Sequence, residues 1–403
     1  MQNSLRGLTY QFAIICFSVM VFLLFRQFPF LDYSAVMNIS CFIFFIVIIL
    51  FLKTEILKTK LFLYSLIILS LYGLYAILLG NDPALILRFY AILLLIIVSY
   101  YCSLGSFRFV RIFLCLALIQ AIVVISLEVY MFQNYRFADY SAIRNYFVTH
   151  QYGDIYTYNG FFYKIQIKGN ALLPFAYMIT FYLYKLTKQK KYALSMVLFL
   201  IAVVFCGNLA FYIVLIIHSL IYLFFNKIRN YNQLIFKILL ILAVSVLFIY
   251  FSGFDYFIKA YELKFQGASF SSMGTRFDQF KVLIDDLFYN VGTGVFGRGL
   301  GNIVDTQTAV RDYSDYIYYE LQMIYFLNQI GVLLFLLLVG ANVYLTTKFI
   351  QINELKIIYL LYIIYALVNP YMLDTNHLVV IFVLVNLNSV LCQAQEGAKL
   401  CRV

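Results

Sequence analysis

The sequence predicts an all-α polytopic membrane protein with about twelve transmembrane helices and two large outer loops, the second holding an amphipathic helix and a glycine-rich segment. Three observations predict it. Hydrophobic residues make up 64% of the 403-residue chain and charged residues 12%, against about 45–50% and about 25% in a soluble domain, so lipid has to solvate most of this surface. Apolar runs recur near the ~20 residues that carry a helix across a bilayer. Lysine and arginine collect in alternate connections between those runs.

The runs fall at 8–26, 33–52, 60–79, 84–102, 109–130, 168–186, 191–207, 208–226, 233–251, 319–346, 356–371 and 376–393. Only Cys206-Gly207-Asn208 parts the seventh from the eighth. The first run lacks a small-residue cleavage site and is too long for a signal-peptide core, so it reads as a retained anchor. The basic connections hold Lys53, Lys58 and Lys60, then Arg108 and Arg111, then Lys185, Lys188, Lys190 and Lys191. Lys227, Arg229 and Lys237 follow, then Lys348 and Lys356, with Arg6, Lys399 and Arg402 at the ends. This alternation places both termini in the cytoplasm. It also assigns the net charge of +11 to membrane orientation, so no nucleic-acid partner is expected. The chain has no Trp; Tyr can supply the interfacial belt instead, and a genome that favours Ile, Phe, Tyr, Lys and Asn would explain the composition without function.

The whole chain, 1–403, reads as a single integral membrane domain with long outer loops at 131–167 and 252–318. Connections of that length are functional or disordered, and their Tyr and Phe content argues for packing. In the second loop Phe277, Phe280, Ile284, Leu287 and Phe288 recur at helical spacing with Asp278, Asp285 and Asp286 between them. This is an amphipathic helix for the membrane surface or the bundle. No internal repeat supports a two-fold transporter architecture.

The glycine-rich stretch runs Asn290-Val-Gly-Thr-Gly-Val-Phe-Gly-Arg-Gly-Leu-Gly-Asn302. It is either a flexible turn or a loop that aims backbone N–H groups at an anion. A dinucleotide fingerprint is excluded, because no βαβ unit surrounds it. Arg276, Arg298 and Arg311 accompany it, and an arginine fork suits phosphate oxygens. Arg88 sits about a turn inside a span, where an ionisable group is costly; it snorkels, pairs with Asp82, or works in a site. Glu320 opens a span, where a carboxylate also complements the helix dipole. Asp374 and His377 lie in Asn369-Pro-Tyr-Met-Leu-Asp-Thr-Asn-His-Leu378 between the last two spans, and His exchanges protons near neutral pH. Arg144 and Lys168-Gly-Asn170 extend a polar wall toward the outer loops, His150 is a weaker candidate, and His218 reads as packing. The seven cysteines include no Cys-x-x-Cys pair, and no metal site or other cofactor is expected.

Taken in order, Gly169-Asn170 with its Ala-Leu-Leu-Pro-Phe-Ala entry, Gly274-Thr-Arg276-Phe, Tyr319-Glu320-Leu-Gln, and Asn369-Pro-Tyr371 with Asp374 and His377 resemble the bacterial O-antigen polymerase family, which is related to the O-antigen ligases. The resemblance covers nearly the whole chain. It implies an inverting, metal-independent glycosyltransferase of the bacterial inner membrane, acting in lipopolysaccharide biosynthesis at the periplasmic face. The implied partners are an undecaprenyl-diphosphate-linked oligosaccharide, membrane lipid, and a chain-length regulator and flippase of the same pathway. Arg276, Arg298, Arg88, Arg144 and Arg311 would serve the diphosphate, and Glu320, His377 or Asp374 the attacking hydroxyl. One departure stands out: relatives often carry Ser-Arg in the mid-chain turn that here reads Cys206-Gly207-Asn208, so either another arginine such as Arg144 replaces it or none is needed. An O-antigen ligase shares the diphosphate clamp and differs in acceptor. A lipid-linked oligosaccharide flippase is the reading from another class, and it would be expected to carry charges in mid-span.

Overall fold

The computed structural model describes residues 2–25, 34–150, 152–157, 162–225, 272–304 and 319–400. Six helices among them are long and apolar enough to cross a membrane: Gly7–Phe25, Lys60–Leu78, Pro83–Tyr101, Phe107–Tyr135, Gln322–Phe349 and Thr375–Ala394. Val36–Leu52 and Leu209–Leu223 are apolar but shorter. The protein is therefore a helical membrane protein, as the composition requires. The run at 233–251, Arg311 and much of the 252–318 loop lie outside the described residues.

In chain order the helices are α1 (Gln2–Phe25), α2 (Ser34–Val47), α3 (Lys60–Leu78), α4 (Pro83–Tyr101), α5 (Phe107–Tyr135) and α6 (Ser141–Thr149). After strands β1 (Gly153–Tyr156) and β2 (Lys164–Ile167) come α7 (Leu173–Thr187), α8 (Lys190–Cys206) and α9 (Leu209–Phe225). The remainder are α10 (Ser272–Leu287), α11 (Val291–Phe296), α12 (Gln322–Phe349), α13 (Asn353–Leu367) and α14 (Thr375–Leu400). Local chemistry sets several starts. Asp82 Oδ1 accepts from the N–H of Ala84 at 2.8 Å, with Pro83 in the first turn of α4. Asn290 and Thr293 form a reciprocal capping box on α11.

The 131–167 segment adds one small hairpin to an otherwise helical chain. It continues α5 to Tyr135, adds α6, and closes with an antiparallel hairpin in the register Gly153↔Ile167 to Tyr156↔Lys164. Ile155 and Ile165 are paired across the strands and fully buried. Two strands stand alone only when one face is covered, and these two isoleucines supply that face.

The chain divides into two compact units. One comprises Met1–Arg26, Leu31–Leu116 and Thr275–Val403, the other Gln27–Phe30 and Ala117–Gly274. In the first, Phe17 packs on Phe44, Phe109 and Phe382 with ring centroids 5.2–5.4 Å apart, joining α1, α2, α5 and α14. A second cluster there unites Leu69, Ala76, Ile86 and Phe89 of α3 and α4 with Leu283, Leu300, Tyr325 and Ile330. The second unit buries the first half of α7 completely, from Leu173 to Thr180.

Candidate functional site

The site begins with a broken helix. At Gly331, φ 69° and ψ 172° interrupt α12, a conformation open only to glycine. The break frees carbonyls that a bilayer cannot hydrate. The glycine-rich stretch supplies the donors: Arg298 N–H reaches Asn328 O at 2.9 Å and Gly299 N–H reaches Gln329 O at 2.8 Å. Gly301 N–H donates to Gln329 Oε1 at 2.8 Å. Gly297, at φ +78°, sits so close that a Cβ would lie 2.3 Å from Gln329 O and 2.4 Å from Gly331 N. Tyr75 Oη and Asn81 Nδ2 donate to the carbonyls of Gly297, Arg298 and Leu300. The stretch is thus neither a flexible turn nor an anion cradle. Its amides at 297, 298, 299 and 301 are committed to protein acceptors, and its glycines permit close backbone packing.

Helix α10 lies along the first half of α12. Asn328 Nδ2 donates to Leu283 O at 3.1 Å and to Asp286 Oδ2 at 2.9 Å. Arg298 grips the same Asp286 bidentately, at 2.7 and 3.2 Å, and covers the Tyr289 ring. At the other end of α10, Arg276 Nη2 lies 2.9 Å from Glu320 Oε2. Two of the expected phosphate-binding arginines therefore mark the two ends of α10, Arg276 within its first turns and Arg298 docked from the glycine stretch onto Asp286 near its last, each half-buried and matched to a carboxylate.

Two further expected residues converge on the Glu320 end. Leu373 N–H donates to Gln322 Oε1 at 3.2 Å, which brings the Asp374 turn against the start of α12, two residues from Glu320. Arg88 is exposed on α4, and its charge reaches both Asp374 and Tyr325. Asp82 is occupied as the cap of α4. Asp374 Oδ1 accepts from the N–H groups of Asn376 and His377 at 2.9 and 3.3 Å, capping α14. Burial pushes its carboxyl up to about 6, while those hydrogen bonds and Arg88 pull the other way.

His377 is placed differently. Its Nδ1 faces Met372 O at 2.6 Å and its Nε2 faces Tyr359 Oη at 2.8 Å. A carbonyl only accepts, so Nδ1 carries the proton and Tyr359 donates to Nε2. Tyr359 and Tyr362 stack on the ring at 5.8 and 5.7 Å, and Tyr100, Asn342 and Thr346 continue the network. Buried with both nitrogens engaged, His377 has no lone pair open to a substrate; it fixes the turn that carries Asp374.

The second unit holds Arg144 in a bidentate pair with Asp154, at 2.9 and 3.0 Å, which strengthens its hold on the proton. His150 stacks on Tyr146 and Tyr152. At the Cys206-Gly207-Asn208 turn the closest cation-bearing chain is Lys164, whose buried stem lies across Gly207 and whose Nζ sits 5.3 Å from the Tyr156 ring centre. Glu128 is buried within α5: Oε1 accepts from Tyr163 N–H at 3.0 Å, and Oε2 has no hydrogen-bond partner among the described residues. Sequence reasoning passed over Lys164, Glu128 and Asp286. A lone acid inside the 109–130 run was the available signal for Glu128. Asp286 looked like one more polar position on an amphipathic helix, and Lys164 looked like a loop lysine.

Arg88, Arg276, Glu320 and Asp374 thus come from four separate segments to one end of α12. Fixed positive charge beside two carboxylates can stabilise a departing phosphate and accept a proton from an attacking hydroxyl. Among the described residues no group of three or more His, Cys, Asp or Glu is placed to hold a metal ion. No family model, curated protein or solved structure matches the chain.

Proposed function

We propose that this chain is an O-antigen polymerase. It joins undecaprenyl-diphosphate-linked repeat units at the periplasmic face of a bacterial inner membrane, with about twelve spans and both termini cytoplasmic. The observation that carries this reading is the gathering of Arg88, Arg276, Glu320 and Asp374 at the start of α12.

The chemistry follows from that grouping. The acceptor hydroxyl oxygen attacks the anomeric carbon of the donor, and the bond to the diphosphate breaks with its electron pair leaving on phosphate. The reacting carbon passes through an oxocarbenium-like state. Arg276 and Arg88 offset the charge that develops on the leaving group. A diphosphate competes with Glu320 for Arg276, so donor binding itself frees a carboxylate. The hydroxyl proton goes to Asp374 or to the released Glu320. Arg298, held on Asp286, positions the far end of α10.

The test is genetic and chemical together. In a strain lacking the gene, a plasmid copy should restore long chains, and the Arg276→Ala copy should leave a single repeat unit on the lipid A core at normal membrane abundance. A core bearing no repeat at all would make the chain a ligase instead. A transport reading draws on Glu128, a buried carboxyl with one unpartnered oxygen inside a membrane helix. Glu128→Gln abolishing repeat-unit translocation while Arg276→Ala leaves it intact would favour that reading.

A further inference from the structure

Helix α10 carries apolar side chains on both its buried and its exposed faces. Thr275, Gln279, Leu283 and Leu287 face the interior, with Gln279 fully buried. Phe277, 68% exposed, and Phe280 and Phe288 face outward, with Ile284 between them. At about 100° per residue these four share an arc of roughly 80°, and Lys281, Asp285 and Asp278 form a flank beside it. The turn beyond continues the apolar surface: Tyr289 is 77% exposed, Val291 85%, and Phe296 also faces out.

We propose that α10 and α11 are an interfacial hairpin seated in the bilayer, its Phe277–Phe280–Phe288 stripe and its Tyr289–Phe296 tip immersed among phospholipid acyl chains. Soluble surfaces rarely carry a contiguous exposed stripe of this many large aromatic side chains. An interfacial helix does, with an apolar arc in the acyl boundary and a charged flank at the headgroups. The occupant is lipid rather than protein because this surface continues onto neighbouring helices of the same unit. The stretch after the tip packs on Tyr75 and Ala76, beside the exposed Leu71, Leu74 and Ile77 of α3. It also packs on the break in α12, beside the exposed Leu333, Leu336 and Leu337. Both helices are long and apolar enough to cross a membrane. The hairpin would then hold Arg276 and Arg298 at headgroup depth, reachable sideways from the leaflet. The inference rests on the chain being a membrane protein and not on the polymerase reading.

The chain contains no Trp, so each introduced tryptophan is its own reporter in the full-length protein. Phe280→Trp, Phe288→Trp and Tyr289→Trp replace exposed aromatic residues, and Leu71→Trp on α3 is the lipid-facing reference. In vesicles of phosphatidylcholine with and without brominated acyl chains, the three hairpin reporters should lose at least about half of their emission to bromine, as Leu71→Trp does. They should respond little to aqueous acrylamide. Emission quenched by acrylamide and not by bromine would overturn the proposal, placing the stripe in water. Emission protected from both would overturn it too, by showing that protein, such as a second copy of this chain, covers the stripe. Depth is read whether or not the protein polymerises anything, so a negative result here leaves the enzymatic reading to its own assay.

Discussion

Two arginine–carboxylate pairs of nearly equal length carry opposite meanings. Arg276–Glu320 in the first unit and Arg144–Asp154 in the second both close at 2.9 Å. The first pair is 26% and 21% exposed, the second 46% and 32%. Arg144 and Asp154 are ten residues apart in one short segment, linking α6 to the adjoining hairpin. Arg276 and Glu320 belong to different segments, brought together where α10 docks on α12 through Asn328 and the glycine stretch. An ion pair built by long-range assembly beside Arg88 and Asp374 is placed to act on a ligand; a local, solvated one braces a loop.

The comparison breaks most severely if its scaffold is removed. Gly331→Ala forces a side chain into a glycine-only conformation and sets a Cβ 2.3 Å from Val295 O and 2.4 Å from Gly297 N. The expected cost is about 3 kcal/mol or more, combining backbone strain with overpacking. Thermal unfolding in detergent should show a fall of several degrees or loss of the folded protein. Gly340→Ala in the same helix meets nothing within 4 Å and should stabilise by about 0.5–1 kcal/mol through helix propensity. Equal behaviour of the two variants would mean that the break does not hold the site.

Next in size is Arg276→Ala, which should cut the polymerisation rate by about 10²–10³-fold, the range for removing a fixed charge from a reacting centre. Arg276→Lys should recover part of this, since a point charge replaces a fork. Product length on gels, normalised to protein in the membrane, checks both. Asp374→Asn should lower the rate by about 10²-fold if that carboxylate takes the proton, and it should keep the cap of α14, because an amide oxygen still accepts.

Asp374 also makes a signed prediction with pH. Its folded-state carboxyl is pushed up to about 6 from an ordinary value near 3.8, so the folded state favours the protonated form. That contribution to stability is fully present below pH ~4 and is lost as the pH rises through about 6. Activity runs the other way, because a base works deprotonated: the rate should climb between about pH 5 and 7 and then level off. In Asp374→Asn the stability change across that window should flatten. A rate with no acidic limb near pH 6 would remove Asp374 from proton transfer and leave Glu320.

Much of this was legible in the chain. The membrane class followed from composition and run length, and the turn at Cys206-Gly207-Asn208 does separate α8 from α9. Arg88 stood out because charge inside an apolar run is costly, Arg276 as a phosphate-suited fork near the glycine stretch, Glu320 by its place at the start of a span, and Asp374 by its place in the turn between the last two spans. The long-range part was not legible. Asn328-Gln329, one residue before Gly331, is the mark of an interrupted membrane helix, yet only the docked glycine stretch and α10 explain where those polar groups find partners. Glycine spacing alone could not tell an anion loop from a packing loop, since both need the same freedom of φ. The role of His377 was hidden for a similar reason: its tyrosine partners come from the preceding helix α13, and Tyr359 is in turn held by Tyr100 of α4.

The smallest effect is expected at the second pair, and there the comparison is sharpest. Arg144→Ala and Asp154→Ala should each destabilise by less than about 1 kcal/mol, because an exposed pair loses as much hydration and side-chain freedom as it gains in attraction. Coupling in a double-mutant cycle should be about 0.5 kcal/mol and fall with added salt. Polymerisation should change less than about 2-fold, since the pair is satisfied within its own local segment. The cycle at Arg276 and Glu320 should differ in kind. Removing Glu320 alone leaves a half-buried arginine without its carboxylate, which raises affinity for an anionic headgroup while lowering turnover if Glu320 becomes the base. Anionic-lipid binding that rises in Glu320→Gln and is unmoved in Asp154→Asn would separate a working pair from a bracing one. If instead Asp154→Asn behaves like Glu320→Gln, exposure and connectivity do not distinguish the two pairs, and Arg144 belongs with the phosphate-binding arginines after all.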